Sequence, residues 1–196
     1  MRRNEFFKKI SRFVSSSDLK PISWANWLAK KVHRAQKRDC GERYFEHCRG
    51  VASILLDFNV YDVDAIIIAL LHDCVEDGFI PIDFLEKLFG NFVARSINIL
   101  SKVTPVSDES IGKIIEKKKK NNDEYYSDIF SSEWIVKMVK LADRLHNLRD
   151  MRAWPPERKR KYVIETEKYI LPIAIVTDSL IHRALKKECD EEKDRK

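Results

Sequence analysis

Apolar residues recur at intervals of three and four along most of this chain, and those intervals divide it into amphipathic helical segments. From Asn4 to Val14, Phe6, Phe7, Ile10, Phe13 and Val14 share one side while Arg3, Lys8, Lys9 and Arg12 fall elsewhere. That pattern predicts a short basic helix packed on its own domain, with a membrane-surface or partner-binding role as the alternative. Ser15 to Asp18 breaks the pattern and can cap the next segment. Ser23 to Gln36 predicts a second helix with Trp24, Trp27, Leu28 and Val32 turned inward. Helical spacing resumes over Tyr44–Phe58, Asp62–Glu76, Asp83–Ser101 with a break at Gly90-Asn91, Trp134–Met151, Glu157–Tyr169 and Ile170–Leu185. Lys113 to Asp128 is the most polar stretch and reads as a solvated helix face or a loop, with a phosphate-attracting rim as the functional alternative. Only five glycines and six prolines punctuate the chain, so an all-α fold is expected.

Length and composition narrow the class. At 196 residues, 44% hydrophobic and 35% charged, the chain fits one globular domain with a real core. The net charge of +6 comes from 37 basic residues mixed with 31 acidic ones, which suits a phosphate-rich small substrate better than a nucleic-acid polyanion. No apolar run approaches the roughly 20 residues needed to span a bilayer, and no signal-type core opens the chain, so the cytoplasm is the expected location. Cys40, Cys48, Cys74 and Cys189 show no CxxC spacing and fit a reducing compartment.

The segment LLHDCVED, Leu70 to Asp77, breaks the apolar logic. The run Ala65 to Leu71 asks to be buried, yet it leads directly into one histidine and three acids, which are costly in a core without a compensating charge. In one helix, His72 and Glu76 share a face, with Asp73 and Asp77 beside them. An adjacent His-Asp pair offers a nitrogen and an oxygen to a borderline or hard divalent ion such as manganese, iron or zinc. Two further candidates sit in otherwise apolar helices, His47 in RYFEHCRGVASILL and Asp143 in IVKMVKLADRLHNL. Each alone reads as an ordinary core residue; together His47, His72, Asp73 and Asp143 make a ligand set. Cys48 and Cys74, which directly follow candidate ligands, read as buried neighbours, with thiolate ligation as the alternative.

GERYFEH, LLHDCVED and VKLADRLHNLRDM, in that order, resemble the HD phosphohydrolase superfamily, and more narrowly the hydrolase domain of Rel/Spo homologues that remove the 3′-pyrophosphate of (p)ppGpp. Phe89-Gly90 with Val93-Ala94 and the closing ETEKYILPIA extend the likeness over Trp24 to Leu185. The resemblance implies a single HD-domain helical bundle over 22–185, preceded by a basic extension over 1–21 and followed by a charged tail over 186–196, with no room for a synthetase module. It implies that His47, His72, Asp73 and Asp143 hold one Mn2+, and that Glu76 and Asp77 serve the catalytic water and proton transfer, with Glu76 the first choice for general base. Arg38 and Asn147 match nucleotide contacts, and Arg144 and Arg149 match aids to phosphate binding or to the fold. His146 is either a partner orienting Asp143 or ordinary packing.

The chain also departs from the family pattern. Asp39 stands where a lysine commonly follows the arginine, Cys48 replaces a proline, and Ile170-Leu171-Pro172 replaces Tyr-Ala-Pro, with Tyr169 nearby. The NLRD form resembles the stand-alone metazoan hydrolases. The expected partner is therefore ppGpp or pppGpp, with no specific nucleic acid and compatibly with a homo-oligomer. Competing readings keep the metal site but change the substrate, to (p)ppApp or the 2′-phosphate of NADPH, or keep the fold as a noncatalytic nucleotide or nucleic-acid binding module.

Overall fold

A computed structural model describes residues 3–78, 80–108 and 113–195. Helices dominate it: α1 (Arg3–Ile10), α2 (Leu19–Val32), α3 (Tyr44–Asp57), α4 (Val63–Leu71), α5 (Cys74–Gly78), α6 (Ile82–Phe89) and α7 (Asn91–Leu100) precede a hairpin of β1 (Val103–Asp108) and β2 (Lys113–Lys119). The chain continues through α8 (Asn122–Ser131), α9 (Trp134–Asp150), α10 (Pro156–Glu165), α11 (Leu171–Thr177) and α12 (Ser179–Asp194).

The bundle is organised around α4. Asp62 caps it by accepting the Ala65 N–H at 2.9 Å, and every residue from Ala65 to Leu71 is buried against α2, α3, α7 and α9. Burying Ile66, Ile67, Ile68, Leu70 and Leu71 stabilises the fold by about 1.5–3 kcal/mol per side chain before entropy is counted. The continuous helix expected over Asp62–Glu76 is instead split, because α4 ends at Leu71 and α5 starts at Cys74. His72 and Asp73 form the turn between them, although the Asp77 N–H still reaches the Asp73 carbonyl at 2.9 Å. The expected break between α6 and α7 falls at Gly90, whose φ of 87° and ψ of 165° lie where only glycine rests without strain.

The N-terminal helix docks on its own fold. Phe6 and Ile10 are fully buried, and Lys9 donates to Ser53 Oγ and Asp57 Oδ1, both at 2.6 Å, on α3. Asp18 stands at the start of α2, but its carboxylate accepts from Ser15 Oγ instead of capping the helix. The tryptophans of α2 correct the sequence reading. Trp24 and Trp27 are 56% and 50% exposed, because Ile22, Ala25, Leu28 and Ala29 form the face that meets the bundle. The lysine-rich segment is also not helical where expected. Residues 113–119 form β2, paired antiparallel with β1 from Val103↔Lys119 to Asp108↔Lys113. At its end, Lys118 and Lys119 are exposed and Lys120 donates to the Asn98 carbonyl at 2.9 Å. The charged C-terminal stretch continues α12, started by Asp178 capping Leu180 and Ile181, and it buries Cys189. Among the described residues no helix is long and apolar enough to cross a membrane.

Ile68→Ala, at the centre of α4, is expected to destabilise the fold by about 2–5 kcal/mol, read as a lower denaturant midpoint with an unchanged slope.

Candidate active site

Helices α3 and α9 and the α4–α5 turn bring four buried or nearly buried candidate ligands to one point. His47 comes from the first turn of α3, His72 and Asp73 from the α4–α5 turn, and Asp143 from the middle of α9. Ligand atoms of His47, His72 and Asp73 lie within 4.8 Å of one another. Asp143 Oδ1 is 3.3 Å from His47 Nε2 and 3.8 Å from His72 Nε2, and Asp73 Oδ2 is 3.0 Å from His72 Nε2 and 3.9 Å from His47 Nε2.

Each ligand is held from behind. His72 Nδ1 meets the Ala69 carbonyl at 2.9 Å, which directs Nε2 inward. Tyr44 OH donates to Asp73 Oδ2 at 2.7 Å. Lys140 Nζ donates to Asp143 Oδ2 at 2.9 Å, and Asn147 Nδ2 donates to Oδ1 at 2.7 Å. His146 does not reach for Asp143; its Nδ1 stands 3.1 Å from His47 Nδ1.

The electrostatics favour a cation at the centre. Burial works against charge on Asp143, but Lys140 and the histidines outweigh it and hold the carboxyl well below its usual range. Burial likewise opposes the charge on His72, and Asp73 then Asp143 overcome it and raise the imidazole to about 9. His72 Nε2 is nonetheless a buried nitrogen without an aligned hydrogen bond. Two imidazole nitrogens, one of them the orphaned His72 Nε2, and two carboxylates fit a divalent metal ion. Cys48 and Cys74 lie outside the group of His47, His72 and Asp73 whose ligand atoms converge, and burial, then the Asp73 charge, pushes their thiols up.

A cavity of about 470 Å³ opens onto this cluster. Asp73, Glu76 and Asp143 line it together with six cations, Lys37, Arg38, Lys102, Lys140, Arg144 and Arg158. Glu76 accepts the Lys102 backbone N–H at 2.9 Å. Asp77 turns toward His33, whose Nδ1 is 3.7 Å away. Arg38 is fixed by Asp150 at 2.6 Å and by Asn147 Oδ1 at 2.8 Å, which places both expected nucleotide contacts on one wall.

The other two arginines separate. Arg144 is buried, donating to Glu165 and Tyr126 at 2.6 Å and to Thr166 at 3.2 Å, so its main bonds tie α9 to α10 and α8. Arg149 lies outside the cavity, exposed and paired with Glu188 of α12 at 2.9 Å. Helix phase explains this: Asn147 is about 40° from Asp143 around α9, whereas Arg149 is about 120° away. Asp39 is not a bare anion either. Arg158 donates to it at 2.9 Å while its guanidinium lies 3.9 Å over the Trp154 ring.

Sequence reasoning missed Tyr44, Lys102, Lys140, Trp154 and Arg158. Tyr44 and Lys140 were findable, each standing one turn before a ligand on the same helix. Lys102, Trp154 and Arg158 reach the cavity only through tertiary packing.

Residues 25–174 match the HD domain family, and the chain belongs to it. It is 29% identical over 167 residues to the bifunctional (p)ppGpp synthase/hydrolase SpoT of Escherichia coli, covering 84% of this chain and 23% of SpoT. It is 29% identical over 175 residues to the probable chloroplastic GTP diphosphokinase RSH3 of Arabidopsis thaliana, covering 89% of this chain and 24% of that protein. The chain thus spans about a quarter of the length of these curated relatives. A solved structure of a metazoan orthologue of SpoT that hydrolyses ppGpp superposes with a TM-score of 0.72 at 25% identity, covering 91% of this chain and 97% of that one.

Glu165 illustrates how the site is braced. Burial works against its charge, but Arg144 and the Tyr126 hydroxyl lower it from 4.5 to about 2. A carboxylate depressed in the folded state contributes stability above its unfolded pKa and loses it as pH falls. Glu165→Gln is therefore expected to lower stability by about 1–3 kcal/mol at neutral pH, with the gap from wild type closing between pH 4.5 and about 2 in denaturant titrations.

Proposed function

We propose that this chain is a metal-dependent hydrolase that removes the 3′-pyrophosphate of (p)ppGpp, releasing pyrophosphate and GDP or GTP. The observation that carries the reading is a cavity in which Glu76, Asp73 and Asp143 share the lining with six cations. The ppGpp activity of the metazoan SpoT orthologue, whose fold this chain shares along nearly its whole length, supports the substrate class.

His47, His72, Asp73 and Asp143 would hold the ion, which we assign as Mn2+; when bound, it supplies Lewis acidity and neutralises phosphate charge. Glu76 takes the proton of the attacking water, whose oxygen joins the phosphorus next to the ribose 3′ oxygen. The bond from that phosphorus to the ribose 3′ oxygen breaks, the 3′ oxygen takes the proton that Glu76 accepted, and pyrophosphate leaves. Lys102 and Lys140 lie where they can balance charge on the departing phosphates. Arg38 and Asn147, locked together, position the nucleoside. Asp77, beside His33, orients the α5 turn that carries Glu76. Asp39 leaves the nucleotide pocket a neutralised rim through Arg158, so the loss of the family lysine does not place an unpaired anion against the substrate.

The test is release of pyrophosphate from ppGpp and ppApp, and of phosphate from NADPH, by purified protein with Mn2+. Preferred turnover of ppGpp, falling about 10²–10⁴-fold in Glu76→Gln with little change in KM, is the expected result. Turnover confined to ppApp or NADPH, or equal rates in Glu76→Gln, would overturn the assignment.

A further inference from the structure

We infer that His146 is a positioning residue for His47, fixing which of its ring nitrogens faces the metal cluster, and that Gly50 is a glycine because any side chain there would occupy the place of the His146 ring. The inference rests on the reading of His47 as a ligand and adds to it two residues with no other assigned role.

The two imidazoles meet edge to face, with ring centres 4.7 Å apart and the two Nδ1 atoms at 3.1 Å. At that distance one proton lies between them, and its owner decides what His47 can do. If His47 carries it, Nε2 presents a lone pair toward Asp73 and Asp143 and can ligate. If His146 carries it, the His47 proton moves to Nε2, only 3.3 Å from Asp143 Oδ1, where donation to that carboxylate would cap the ligating nitrogen. An acceptor at His146 Nδ1 therefore competes against Asp143 for the His47 proton and favours the ligating tautomer.

Gly50 supplies the second, independent observation. It lies inside α3, three residues after His47, where glycine weakens a helix relative to alanine. A Cβ at this position would meet His146 Nε2 at 2.0 Å and Cδ2 at 2.2 Å, closer than any real contact allows. The nearest obstacle is the flat ring itself and not a flexible chain end, so a methyl group there forces the imidazole away from His47. The cost of a helix-interior glycine thus has a specific counterpart across the α3–α9 interface.

The test uses full-length protein and three substitutions that separate packing from hydrogen bonding: His146→Phe keeps a ring but removes the acceptor, His146→Asn keeps an acceptor, and Gly50→Ala displaces the ring. Calorimetric titration with Mn2+ is expected to show affinity about 10–100-fold weaker in His146→Phe and in Gly50→Ala, with His146→Asn retaining most of the wild-type value. Long-range 1H–15N spectra of the Zn2+-loaded wild type should show the His47 proton on Nδ1. Gly50→Ala should lower the melting temperature of the wild type and raise it in a His146→Ala background, where only helix propensity remains. Wild-type Mn2+ affinity in His146→Phe, or a His47 proton on Nε2 in the Zn2+-loaded wild type, would overturn the positioning role alone. Failure of the wild type itself to bind Mn2+ would overturn the ligand reading and this inference with it.

Discussion

Two carboxylates, Asp73 and Asp143, share one largely buried point in an apolar bundle, and the rest of the structure is arranged around making that tolerable. Isolated charges there would cost several kcal/mol each. Lys140 on one side, Tyr44 and Asn147 on others, and two inward imidazoles offset the cost and leave the centre attractive to a further positive charge. The apolar helix α4 has to stop for this to happen: its last buried residue is Leu71, and the turn at His72-Asp73 aims both side chains at α3 and α9.

Around this point the cavity is built in tiers. At the centre, Asp143 takes bonds from Lys140 and Asn147 of its own helix and His72 meets the Ala69 carbonyl, while Tyr44 of α3 reaches Asp73 and His146 of α9 meets His47. The walls carry cations whose positions are themselves secured, Arg38 by Asp150 and Asn147, Arg158 by Asp39 and the face of Trp154. Arg144 belongs to a deeper tier, where Glu165, Tyr126 and Thr166 use it to lock α8, α9 and α10 together behind the pocket. A polyphosphate entering such a cavity meets preorganised charge and needs little rearrangement of the protein.

Much of this was legible in the sequence because helical spacing carries both burial and site. His72 beside Asp73, Asn147 one turn after Asp143, and the glycine break at Gly90 follow from local rules. What escaped depends on neighbours brought from elsewhere. The amphipathic pattern of α2 did not reveal that Ile22 and Ala25, and not Trp24 and Trp27, face the bundle. The strand at Lys113–Lys119 was obscured by lysines, which weigh against β structure unless a partner strand supplies hydrogen bonds. Arg149 matched an aid to phosphate binding or to the fold, and the rotation of α9 turns it away from Asn147 toward Glu188. His146 was read as a partner of Asp143 or as ordinary packing; it stands instead beside His47, 99 positions away in the chain, a pairing that spacing could not show.

The central claim is that His47, His72, Asp73 and Asp143 hold one divalent ion. It is tested most directly by measuring manganese content, by mass spectrometry of dialysed protein after loading, in the wild type and in His72→Ala and Asp143→Asn. The account predicts one manganese per chain in the wild type and essentially none in either variant. Equal manganese content in all three proteins would contradict it.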